Sequence, residues 1–147
     1  MNGLFAVILT LALSYPALSQ DREPLLGTWR LDFADSKFTS APPQYTHVIC
    51  KIEPWENDGL KVLYDMVGTR GGVTHWEWMG RLDGKDYPLE GVEEVTTNAY
   101  SQIGERTYSL VFKADGHITA TTRIAISPDG RTMTVTSGAN TAVYKKP

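Results

Sequence analysis

Apolar and polar residues alternate along most of this chain with a period of two, the repeat of a half-buried strand rather than a helix. Segments at 26–33, 45–53, 60–69, 73–82, 85–89, 92–97, 106–113, 117–126, 131–137 and 141–145 carry the pattern. β-Branched and aromatic residues dominate them, as a pleated surface packed on one face prefers. The breaks between them hold turn chemistry. Asp-Gly occurs four times, at Asp58-Gly59, Asp83-Gly84, Asp115-Gly116 and Asp129-Gly130, and Gly71-Gly72 adds a fifth signal. A Ser/Pro-rich stretch through Pro42-Pro43 is expected to hold one short helical turn.

Sequential antiparallel strands with short turns predict an all-β, up-and-down meander of about 8–10 strands. Long strands in such a meander most simply hide their edges by curling into a closed barrel. A two-sheet sandwich is the alternative architecture. Register follows from keeping the faces unmixed. A three-residue loop, Arg70-Gly71-Gly72, places Met66 opposite Trp76 and Tyr64 opposite Trp78 on an aromatic face. Val67–His75 and Asp65–Glu77 then share the reverse face. In the 124–135 hairpin an even loop, Ser127 to Gly130, places Ile124 opposite Met133.

The N-terminus departs from this pattern. Residues 4–13 form an almost unbroken apolar run, too short for the ~20 residues that span a bilayer. The run stops at Ser14 and Pro16, and Ala17-Leu18-Ser19 has the small-x-small form that a signal peptidase reads. Residues 1–19 are therefore expected to be a secretory signal peptide, and 20–147 a single exported domain, periplasmic or secreted. All 14 basic and 17 acidic residues lie after the apolar run, interspersed, with a net charge of −3. That balance supplies no electrostatic reason to bind nucleic acid or an anionic membrane. Cys50 is the sole cysteine, which excludes an intramolecular disulfide. The run Val48-Cys50-Ile52 places it on an apolar face as an inert thiol.

Gly27-Thr28-Trp29, at the start of the first strand, resembles the Gly-x-Trp signature of lipocalins, although the last strand offers only Lys145 where lipocalins place an Arg across the Trp. Longer blocks resemble a family of small exported bacterial lipocalin-like proteins. These are residues 27–32 with Asp35-Ser36-Lys37-Phe38, then Asp83 to Leu89, Asp129 to Val135 and Ala142 to Lys145. The resemblance implies an exported lipocalin-like β-barrel and brings no activity with it.

The candidate ligand-binding residues are Trp29, Tyr64, Met66, Trp76, Trp78, Tyr108 and Phe112. Lining an open barrel, they would hold a small hydrophobic or aromatic molecule. A barrel filled by the same residues would act through its surface instead, as an interaction or inhibitor module. Its contacts would come from the 39–43 loop or from Arg70-Gly71-Gly72. Asp65, His75 and Glu77 share a face and are the residue types that ligate zinc, but charged groups opposite an aromatic face are ordinary solvated residues, so no metal or cofactor is expected. No nucleophile elbow, Cys–His pair or phosphate loop is present, and Glu93-Glu94 point to opposite faces. A cofactor-free pocket enzyme of isomerase or cyclase type ranks third. Arg106 and Arg123 are strand residues that could meet a ligand carboxylate inside a barrel, but the favoured reading is that their cations reach outer solvent.

Overall fold

The computed structural model describes residues 21–39 and 43–147. The expected signal peptide, and the central part of the expected Pro42 helical turn, lie outside the described residues. Among the described residues a 3-10 turn, Glu23–Leu25, precedes ten strands. They are β1 (Gly27–Lys37), β2 (Tyr45–Trp55), β3 (Gly59–Gly68), β4 (Val73–Arg81), β5 (Tyr87–Glu90), β6 (Thr96–Gly104), β7 (Thr107–Ala114), β8 (His117–Ile126), β9 (Thr132–Ser137) and β10 (Asn140–Lys145). Each pairs antiparallel with its neighbour in sequence, and β1 also pairs with β10, so the meander closes into one barrel. The sandwich alternative is overturned, because a single unbroken ladder leaves no second sheet.

The turns explain the boundaries. Asp115-Gly116 forms the expected two-residue hairpin, with both residues at positive φ (50° and 80°) between paired Ala114 and His117. Asp58-Gly59 does not: Gly59 opens β3 opposite Trp55, and Glu56 takes the left-handed conformation. Both register readings need the same correction. Val67 pairs with Val73, Tyr64 with Trp76, Asp65 with His75 and Val62 with Trp78, two residues from the expected register. The β3–β4 loop is longer than three residues, closed by Gly68 N–H donating to the Gly72 carbonyl at 2.7 Å. Likewise Ile124 faces Val135, and Met133 faces Ile126. A two-residue slip keeps every side chain on its face, so the division into inner and outer faces survives.

One end of the barrel is closed by packing. Trp29 and Tyr108 are fully buried there beside Leu25, Leu60 and Met133. The Trp29 indole donates to the Leu25 carbonyl at 2.9 Å, and the Tyr108 hydroxyl donates to the Asp21 carbonyl at 2.6 Å. These bonds pin the N-terminal segment across the floor. Gly27 has φ +136°, and a Cβ there would lie 2.8 Å from Lys146 Cε. That clearance lets Lys146 lay its ammonium 4.8 Å from the Trp29 ring centroid. The cation across the signature Trp is thus Lys146. Lys145 points the other way, to Asp32 at 2.9 Å and to Asp35.

The wall is thinnest at β5, which pairs at two positions with β4 and two with β6. Trp78 covers this seam. Its indole N–H is shared by the carbonyls of Tyr87 and Asn98 at 3.2 Å each, and its ring meets Tyr87 and Tyr100 at centroid distances of 5.6 and 4.5 Å.

Candidate functional site: an uncharged cavity at the open end

Above the floor the side chains do not fill the barrel, and a cavity of about 460 Å³ extends to Phe38, Pro43 and Gln44 after β1 and to Ser137 and Asn140 at the β9–β10 turn. Period-two alternation builds its wall. Leu31 and Phe33 of β1, Val62, Tyr64 and Met66 of β3, Trp76 and Trp78 of β4, and Leu110 and Phe112 of β7 all turn inward. Across the β3–β4 ladder, Tyr64 and Trp76 meet edge to face, 6.3 Å between centroids at 61°.

Five of the seven residues expected at a ligand site therefore stand together on the wall: Tyr64, Met66, Trp76, Trp78 and Phe112. Trp29 and Tyr108 do not. They form the floor, because the 3-10 turn carries Leu25 and Asp21 over that end and gives both rings hydrogen-bonded partners there. Arg106 also moves. It sits in the β6–β7 turn at φ 51° and pairs with Glu105, whereas Arg123 lies exposed on the outer face of β8.

Several wall residues were not among the expected ones. Tyr100, Tyr144, Asn98 and Thr122 all line the cavity. Asn98 and Thr122 are the buried polar residues of the described core, each 4% exposed. The signal of Asn98 and Tyr100 was masked in β6. The expected strand at 92–97 stops short of Asn98, whereas the observed strand begins at Thr96 and carries Asn98 and Tyr100 inward. Its Asn, Ser, Gln and Gly residues dilute the apolar pattern that would have located it.

The wall is electrically neutral. Every described residue lining the cavity is uncharged. Burial pushes the hydroxyl pKa values of Tyr64, Tyr100 and Tyr144 well above the ordinary tyrosine range. Burial likewise pushes the Cys50 thiol up to about 12, with a weaker opposing hydrogen bond from Tyr64. The thiol is inert in the folded chain.

The charged cluster of Asp65, His75 and Glu77 stands on the outer face, in the corrected register. His75 bonds Asp65 at 2.7 Å through Nδ1 and approaches Glu77 at 3.6 Å through Nε2. Glu77 is engaged more closely by Lys61, at 3.1 Å. Asp65 raises the His75 pKa, and Lys61 lowers that of Glu77. Among the described residues, no group of three or more His, Cys, Asp or Glu side chains is placed to hold a metal ion.

Comparison with known proteins places the fold. A crystal structure of the fluorescent protein UnaG, N57A mutant, superposes with a TM-score of 0.56 at 18% sequence identity. The match spans 85% of this chain and 97% of that one. The likeness is one of fold: a closed antiparallel β-barrel. No protein-family model and no curated protein sequence matches the chain.

Proposed function

We propose that this chain is an exported lipocalin-like binding protein that holds one small hydrophobic or aromatic molecule in its barrel. The observation that carries the reading is the cavity of about 460 Å³, walled by aromatic and aliphatic side chains above a packed floor. Its volume falls in the ~300–1,000 Å³ range of small-molecule sites. A space of this size lined by Trp, Tyr and Phe forgoes the dispersion contacts that filling it would supply, so an occupant of matching chemistry gains them on entry. Export rests on the apolar run 4–13 and the Ala17-Leu18-Ser19 cleavage pattern. Kinship with the small exported lipocalin-like proteins rests on the blocks around Trp29, Tyr87 and Met133.

Titration with a panel of lipophilic molecules, followed by tryptophan emission, tests the binding reading, because Trp76 and Trp78 line the cavity. The expected result is a saturable change for at least one panel member, with affinity weakened at least tenfold by Trp76→Ala. Unchanged affinity in a variant with an unchanged melting temperature would overturn it.

A further inference from the structure

We infer that the cavity's occupant is a neutral molecule whose apolar body carries a hydrogen-bond donor, and that the side-chain oxygen of Asn98 receives that donor. This rests on the pocket reading above and sharpens it. Asn98 lines the cavity at 4% exposure, and its Oδ1 is buried with no hydrogen-bond partner among the described residues. Buried carbonyl oxygens are nearly always paired, since leaving one unpaired forfeits its hydration without return. The residue holds its side chain on the inner face, away from solvent. Its main chain is fixed between Tyr87 of β5 and Phe112 of β7, and its own carbonyl already accepts the Trp78 indole N–H at 3.2 Å. The side-chain oxygen makes no hydrogen bond among the described residues that would account for a polar atom at this place. A bound donor such as a hydroxyl, amide N–H or ring N–H gives it one.

The same wall sets the charge. All described lining residues are uncharged. A carboxylate or ammonium entering this space would lose its hydration without gaining a counter-charge, which strongly disfavours it. The buried tyrosine hydroxyls remain protonated, so they leave the wall neutral. A neutral amphiphile with a donor meets both conditions.

Three fluorescent probes on one four-ring frame separate the possibilities: 1-pyrenemethanol, its methyl ether and 1-pyrenecarboxylate, titrated at neutral pH into wild type and Asn98→Leu. In wild type the alcohol should bind roughly tenfold tighter than the ether, the worth of one buried hydrogen bond, and the carboxylate weakest. Asn98→Leu should erase the alcohol's advantage and raise the melting temperature of the free protein, since it removes an unpaired polar group, keeps the branched shape and has cavity beside it to take the larger methyl groups. Should that variant not fold, the wild-type comparison decides alone. Equal binding of alcohol and ether by wild type would overturn the role of Asn98 and leave the pocket reading standing. Tightest binding of the carboxylate would overturn neutrality. No binding by any of the three would remove the pocket reading, and this inference with it.

Discussion

The two ends of this barrel use the same residue types to opposite effect. At the floor, Trp29 and Tyr108 are wholly enclosed, and each spends its polar atom on a main-chain carbonyl. At the open end, Trp76 and Tyr64 are half-buried, touch edge to face and border empty space. Period-two alternation turned all four inward. What separates them is what lies across the barrel end: the Glu23–Leu25 turn covers one side, and at the other the described residues leave a cavity. An inward aromatic residue is a structural plug where a neighbouring segment caps it, and cavity wall where the described residues leave space beside it.

The largest effect should come from removing the plug. Trp29→Ala is expected to cost about 3–5 kcal/mol in denaturant unfolding, as for a large fully buried side chain. Trp76→Ala should cost only about 1–2 kcal/mol, because its surroundings are already open on one side. If the two variants lose equal stability, floor and wall are not energetically distinct regions. Next is Gly27→Ala, which forces a Cβ into a positive-φ position against Lys146, at an expected cost of about 1–3 kcal/mol. Its tryptophan emission should also shift as Lys146 leaves the Trp29 face, while the open cavity keeps its affinity for any ligand. Loss of affinity in that variant would show that the two ends are coupled.

The smallest effect concerns the outer face. The Asp65 hydrogen bond raises the His75 pKa above its ordinary 6.5. Protonated His75 therefore contributes stability that is fully present below about pH 6.5 and is lost as pH rises through the higher folded value. A urea midpoint measured across that window should fall slightly with rising pH, and His75→Gln should flatten the profile. Ligand affinity should not follow it, since this face is outside the barrel.

The sequence spoke most clearly where local chemistry is strong. Nine of the ten strands are recognisable from alternation, and Asp115-Gly116 and Gly27-x-Trp29 each perform the task their chemistry suggests. Register failed by two residues in both hairpins for which it was read. Face preservation constrains only odd slips, and the lengths of the Gly68–Gly72 and Ser127–Thr132 connections carry no alternation. Of the cavity, the β3–β4 aromatics were legible and the polar pair Asn98 and Thr122 was not. Alternation marks inward positions by their apolarity, so a polar residue on an inner face reads as noise. Trp29 and Tyr108 were misplaced for the complementary reason. Which end of a barrel is sealed depends on where the N-terminal segment folds back, a contact between residues as far apart as Asp21 and Tyr108.

The most direct test of a ligand-holding barrel is native mass spectrometry of the protein expressed with its own N-terminal segment, set beside its denatured mass. An occupied cavity predicts an added mass that survives gentle desolvation, disappears on denaturation and belongs to a neutral molecule. A bare chain mass, unchanged after challenge with lipids and small aromatic compounds, would contradict it.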